Sequence, residues 1–292
     1  MSVVRLWASL GVVVLGFVVS ACGDFGNEKV FHIAGIPDQN ASTLAQKYDI
    51  LTDYLSQELG LTVEYVPTVK YAATVTSFNQ GDRQRAWFGG LTGVQARLAS
   101  AGSLALARRP RDTEFHSKFI AQSGLDVTTL EDLNGLTFTF DSDSSTSRHL
   151  MPRHFLLEAG VDPETDFDDG NANFSGSHAK TWALVDSGAF QAGVLNEAVW
   201  DEAVEEGRVD VSRVREFFVT PSYFDYNWTA RGDLDVELGD GFTLRVQNAL
   251  VSLDGSGQDV LDLFSTDSFI ESQNENYQAI QDEAKSLGII QN

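Results

Sequence analysis

The hydroxyls Ser145, Thr146 and Ser147 stand just before the end of the run Phe140-Asp141-Ser142-Asp143-Ser144-Ser145-Thr146-Ser147-Arg148, which lies between a strand-like and a helix-like segment. Hydroxyl residues cap helices, and the first helical turn leaves backbone N–H groups free and partly positive. Side-chain and backbone donors together would suit a tetrahedral oxyanion. Taken alone, the run reads equally well as a polar loop with one capping serine. A second segment, Phe174-Ser175-Gly176-Ser177-His178, also precedes a helical pattern, and alone reads as a turn with a surface histidine. Tyr71, after Val69-Lys70, alone reads as core or rim.

The elements that must position these residues show in the hydrophobic period. Val30-Phe31-His32-Ile33-Ala34 reads as a buried strand, and Leu44, Tyr48, Leu51, Leu55 and Leu59 then lay one apolar stripe along a helix that stops at Gly60. Residues 61–66 form a second strand, Tyr71, Val75 and Phe78 mark a second helix, and Ala86-Trp87-Phe88 is a third strand ending in Gly89-Gly90. The alternation resumes with a strand at 136–140, a helix after Ser147, another over 178–185 and a strand at 192–195. A last helical face carries Tyr277, Ile280, Ala284 and Leu287. Strands alternating with helices predict an α/β fold of parallel sheets covered on both faces. Ligands of such sheets bind beyond the carboxyl ends of the strands, and two such units predict two lobes with a cleft between them.

The amino terminus sets the compartment. Arg5 precedes an uncharged apolar run over 6–19 and then Val19-Ser20-Ala21-Cys22, the layout of a secretory signal. That run is shorter than the roughly 20 residues a spanning helix needs. Cys22 is the single cysteine of the chain, so it has no internal disulfide partner. The net charge of −22 repels nucleic acid phosphates and anionic headgroups, which excludes nucleic acid and polybasic membrane contact as the main business.

Together, several ordered segments resemble a family. They are Tyr71-Ala72-Ala73-Thr74-Val75, Ala86-Trp87-Phe88-Gly89-Gly90-Leu91-Thr92, Ser144-Ser145-Thr146-Ser147, Phe174-Ser175-Gly176-Ser177-His178 and Asp225-Tyr226-Asn227-Trp228-Thr229. This pattern is similar to the phosphonate, phosphite and phosphate solute-binding proteins of ABC importers, including a branch labelled selenate-binding. The resemblance implies a two-lobed, type II periplasmic-binding-protein-like fold with a hinged cleft. It implies that Ser145, Thr146 and Ser147 bind the oxyanion, helped by His178 and Tyr71. His116, in Phe115-His116-Ser117-Lys118, stands where an aromatic wall is usual and is expected to add a donor or a positive charge. Carboxylates that hold an ammonium group in aminophosphonate binders align with Ala198 and Tyr226, so a compact oxyanion is expected instead.

The amino-terminal segment resembles a bacterial lipobox, which implies a signal peptide at 1–21, a lipid on Cys22 and a linker at 22–28. Lobe 1 is expected to comprise 29–120 and 223–292, and lobe 2 to comprise 121–222. The expected partners are the oxyanion, an ABC permease and the membrane through the lipid. A monomer without cofactor or metal is expected. A sensory module of the same fold is one alternative. A phosphoester hydrolase is another, although the chain has no Gly-x-Ser-x-Gly, His-Glu-x-x-His or Gly-x-x-x-x-Gly-Lys-Ser/Thr motif.

Overall fold

In a computed structural model of the chain, residues 29–168, 173–176, 178–253 and 257–291 are described, and of residues 178 and 179 only the backbone. Cys22, the signal peptide and the linker lie outside them. The first lobe opens with β1 (Val30–Gly35) and α1 (Ala41–Leu59). Asn40 starts α1 by accepting the Thr43 N–H at 3.0 Å, and Gly60, at φ 70°, ends it in a left-handed conformation that favours glycine. The predicted stripe of Leu44, Tyr48, Leu51, Leu55 and Leu59 is buried. Next come β2 (Thr62–Tyr65), α2 (Tyr71–Gln80), β3 (Arg85–Phe88), α3 (Gly90–Ala99) and β4 (Leu104–Arg108).

The chain then crosses to the second lobe, which holds β5 (Ser117–Gln122), β6 (Phe138–Phe140), α4 (Met151–Glu158), β7 (Asn173–Phe174), α5 (His178–Asp186), β8 (Ala192–Asn196), α6 (Glu197–Glu205) and β9 (Val214–Val219). It returns to the first lobe through β10 (Asn227–Ala230), α7 (Leu234–Leu238), α8 (Phe242–Val251), α9 (Gln258–Leu263), β11 (Ile270–Glu271) and α10 (Gln278–Ser286). Among the described residues no helix is long and apolar enough to cross a membrane.

One sheet has six strands in the order β11-β4-β10-β3-β1-β2, and the other has five in the order β7-β6-β8-β5-β9. The expectation of parallel sheets is corrected here, because both sheets are mixed. β1 pairs in parallel with β2 and β3, and β6 with β7 and β8. β10 runs antiparallel between β3 and β4, and β5 antiparallel between β8 and β9. The reason is the double crossing. β5 follows the outward connector and β10 the return connector, so each enters its sheet against the direction set by the strand–helix units.

The connectors lie side by side. Phe115 and Tyr223 exchange backbone hydrogen bonds of 2.9 and 3.0 Å, and Thr220 Oγ1 accepts the Ser117 N–H at 2.9 Å. The expected first boundary at 120/121 falls inside β5, whose ladder partners all belong to the second sheet. The change of sheet occurs between Phe115 and Ser117. Side chains alternate across the second sheet, so Phe119 and Val194 join a cluster with Phe138 and Leu156, while Ile120 and Leu195 join one with Trp200 and Val214. The first lobe packs around Trp87, Trp228, Phe264 and Tyr48, whose rings meet edge-on or tilted at 5.1–6.4 Å.

Candidate functional site

β6 delivers the hydroxyl triplet to the cleft. Beyond Phe140 the loop is pinned by His149, whose Nδ1 lies 2.8 Å from the Asp143 carbonyl and whose ring meets the Phe140 and Phe174 rings. Ser145 is extended, at φ −89° and ψ 140°, and makes no side-chain cap. The next turn, Thr146–Leu150, is π-helical, with the Leu150 N–H reaching the Ser145 carbonyl at 3.0 Å before α4 begins. The triplet therefore starts a wide turn rather than the ordinary capped helix expected from its composition. Ser145, Thr146 and Ser147 are all buried.

Each hydroxyl has a different neighbour. Ser145 Oγ accepts from Arg148 Nε at 3.1 Å. Thr146 Oγ1 accepts the Leu91 N–H at 2.9 Å, a bond from the first lobe to the second. The hydroxyls of Thr146 and Ser147 lie close to Asp225, whose Oδ1 also accepts the Gly90 N–H at 2.9 Å. Ser117 Oγ joins the connectors to this turn by bonding the Ser147 carbonyl at 2.7 Å and the Tyr223 hydroxyl at 2.6 Å. Glycine is needed where the lobes meet. A Cβ on Gly90 would stand 3.0 Å from the Phe224 carbonyl oxygen and 3.3 Å from Thr146 Cγ2.

Tyr71 opens α2 on the first lobe and faces this turn. The Arg148 guanidinium lies over its ring at 5.3 Å, within cation–π range. Arg148 is 1% exposed and forms an ion pair with Asp141 through Nη1. Burial lowers the Arg148 pKa, against the raising influence of Tyr226, Asp38 and Asp225. Tyr71 Oη, Arg148 Nη2 and Asp225 Oδ2 are each buried without a hydrogen-bond partner among the described residues. Burial also pushes the Asp225 carboxyl up to about 6, although the Gly90 N–H favours its charged form.

Of the expected residues, the structure places Ser145, Thr146, Ser147 and Tyr71 around Arg148. His116 is engaged elsewhere. Its Nδ1 lies 2.9 Å from Glu197 in the first turn of α6, so its imidazole faces a carboxylate. The side chain of His178 lies outside the described residues, although the backbone places it at the start of α5. Tyr226 stacks on Trp87 at 5.5 Å and 18°, and its hydroxyl takes a bond from Asn196 Nδ2 at 3.2 Å. Arg148 and Asp225 were not singled out by sequence reasoning. The only available signal was their position inside two quoted segments, as the residue after the triplet and the first of Asp225-Tyr226-Asn227-Trp228-Thr229.

An opening between the lobes, about 490 Å³, is lined by Lys47, Trp87, Tyr226 and Phe264 of the first lobe and by Asn196 and Glu197 of the second. Lys47 lies 3.9 Å over the Phe264 ring, and burial lowers its pKa to about 8. Among the described residues no group of three His, Cys, Asp or Glu side chains could hold a metal ion.

Known proteins share this sequence and architecture. Residues 33–277 match the family model described as ABC transporter, phosphonate, periplasmic substrate-binding protein. The chain is 39% identical over 283 residues to the probable ABC transporter phosphite binding protein PhnD1 of Prochlorococcus marinus (strain MIT 9301), covering 94% of this chain and 95% of that protein. It is 28% identical over 188 residues to the phosphate-import protein PhnD of Mycolicibacterium smegmatis, covering 61% of this chain and 59% of that protein. The structure of Prochlorococcus marinus PhnD1 in complex with methylphosphonate superposes with a TM-score of 0.86 at 40% identity, covering 90% of this chain and all (100%) of that one. A binding protein component of an ABC phosphonate transporter from Pseudomonas aeruginosa shares the fold at a TM-score of 0.75 and 18% identity, over 88% of this chain and 86% of that one. The chain belongs to the family of periplasmic substrate-binding proteins of phosphonate ABC transporters.

Proposed function

We propose that the cleft captures a compact tetrahedral phosphorus oxyanion, phosphite or methylphosphonate, and hands it to an ABC permease. The observation that carries this reading is the pair of buried donors without partners among the described residues, Tyr71 Oη on the first lobe and Arg148 Nη2 on the second, beside the hydroxyl triplet. A buried polar atom left unpaired costs about 1–3 kcal/mol. An oxyanion between the lobes supplies an acceptor to both donors at once. The chain's net charge of −22 does not oppose this, because Arg148 and neutral donors act at short range where global charge is screened.

Ser145 and Ser147 complete the donor set in this reading, and the family resemblance adds His178, whose backbone stands at the start of α5. Thr146 already accepts from Leu91, so its part is to join the lobes around the ligand. Closure follows from donors on both lobes, because the ligand favours the arrangement in which all of them reach it. The ligands bound or transported by the relatives, phosphite, methylphosphonate and phosphate by their names, have this size and charge. In this reading His116, paired with Glu197, is left out of the donor set. Ala198 and Tyr226 offer no carboxylate to an ammonium group, which disfavours aminoalkyl phosphonates.

Binding without turnover is part of the proposal. Ser145 Oγ faces a guanidinium, which neither takes up its proton nor activates it for attack. So is a lipid on Cys22, which would keep the monomeric receptor beside its permease on the outer face of the cytoplasmic membrane. The test is titration calorimetry with phosphite, methylphosphonate, phosphate and 2-aminoethylphosphonate, read beside thermal shifts with each. Tight 1:1 binding of phosphite or methylphosphonate is expected. Tighter binding of 2-aminoethylphosphonate would overturn the ligand assignment.

A further inference from the structure

The first lobe buries a cation without a counter-charge among the described residues. Arg85, at the start of β3, is 0% exposed, and its Nε, Nη1 and Nη2 are all buried without a hydrogen-bond partner among those residues. The other buried arginines among them, Arg109 and Arg148, pair with Asp112 and Asp141. Arginine is almost never fully buried unless it is paired, because an isolated charge is expensive to remove from water.

What lies against Arg85 is aromatic. Antiparallel pairing sets Ala230 of β10 opposite Arg85, and the guanidinium lies 4.0 Å over the ring of Trp228 on the same strand. Trp228 Nε1 is also buried without a hydrogen-bond partner among the described residues. Tyr48 is near enough to act on Arg85, but burial holds its hydroxyl well above the ordinary tyrosine range, so it supplies no negative charge. Burial lowers the Arg85 pKa only to about 9, and the guanidinium is charged at neutral pH. The indole face offsets part of the cost of that charge.

Guanidinium and indole nitrogens donate and do not accept, so a guest that satisfies both must be an acceptor. Water would accept, yet it leaves the charge uncancelled and brings two O–H groups that need acceptors of their own. A monatomic anion accepts from every side and cancels the charge. The guanidinium has no exposed surface, which favours an ion near the size of water over a polyatomic one. We propose that the core of the first lobe holds a chloride ion, bound by the Arg85 guanidinium and the Trp228 indole N–H. Arg85 opens β3, and the cleft lies past the other end of that strand at Gly89 and Gly90, so this site is separate from the oxyanion site and does not depend on its reading.

The experiment compares protein purified throughout in gluconate, chloride or bromide buffers of equal ionic strength. In crystals grown from bromide, anomalous density is expected within hydrogen-bonding distance of the Arg85 guanidinium and Trp228 Nε1. In thermal melts, chloride at about 100 times its dissociation constant should raise Tm by roughly 5–10 °C over gluconate. Saturating methylphosphonate is present in every melt, so that halide entering the oxyanion cleft does not register. In Arg85→Met the halide response should disappear. Water or no density beside Arg85 in the bromide crystals overturns the inference. So does a Tm that is the same in gluconate and chloride, or an equal rise in Arg85→Met. If methylphosphonate does not bind, the proposed function fails, while the position of the bromide still decides this inference. If Arg85→Met does not fold, the wild-type crystals and melts decide.

Discussion

Replacing Tyr71 with Phe separates a residue kept for a ligand from one kept for the fold, because the two effects have opposite signs. The Tyr71 hydroxyl is buried without a partner among the described residues, while its ring lies under Arg148 at 5.3 Å. Tyr71→Phe keeps the ring and removes only the unsatisfied group. Relief of that group is worth about 1–3 kcal/mol to the unliganded protein. For a chain of this size that raises Tm by roughly 2–4 °C per kcal/mol. A hydrogen bond from the same hydroxyl to an oxyanion is worth about 1.5–3 kcal/mol, so losing it weakens binding by about 10- to 150-fold. The assay is a thermal melt without ligand and a calorimetric titration with methylphosphonate, run on wild type and variant together. A lower Tm combined with unchanged affinity would show that the hydroxyl serves the fold, and would refute the assignment of Tyr71 to the ligand.

Three further outcomes follow from the contacts around the cleft. Gly90→Ala brings a Cβ within 3.0 Å of a backbone oxygen at the point where the lobes touch, and should weaken ligand affinity at least about 10-fold in titrations while costing about 1–3 kcal/mol in denaturant melts. Thr146→Val removes the acceptor of the Leu91 N–H and should cost about 1–3 kcal/mol, read as lower affinity and lower stability, whereas Thr146→Ser should retain most of both. Burial lowers the Lys47 pKa from 10.5 in the unfolded chain to about 8, so folding carries a penalty that is complete below pH 8 and disappears between pH 8 and 10.5. Lys47→Met should therefore be more stable than wild type at pH 7, by up to about 3 kcal/mol, with the gap closing as pH rises to 10.5; a gap independent of pH in urea melts would contradict this.

How much of this was legible in the sequence depends on whether the signal was local. The α1 stripe and its Gly60 stop could be read because burial of one face and a positive φ are properties of neighbouring residues. The triplet could be read because three hydroxyls follow a strand. Its π-helical turn could not, since Arg148 Nε takes the Ser145 oxygen that would otherwise cap the helix. The antiparallel directions of β5 and β10 follow from two crossings between lobes, which no local period records. The sheet change came before the expected boundary because Phe119, Ile120 and Ala121 look the same whichever sheet they join. Arg148 and Asp225 were overlooked for a related reason. A buried charge in a polar segment is indistinguishable from a solvated one until the opposite lobe covers it. His116 drew attention because it stands where the family usually has an aromatic wall, and no local signal showed that Glu197 of α6 would be brought beside it.

The most direct test of the central claim is a crystal structure of the protein grown with methylphosphonate. The phosphonate oxygens are expected between the lobes, within about 3 Å of Tyr71 Oη, Arg148 Nη2 and the Ser147 hydroxyl. Phosphonate density in the 490 Å³ opening beside Lys47 instead, with Tyr71 and Arg148 still without partners, would contradict it.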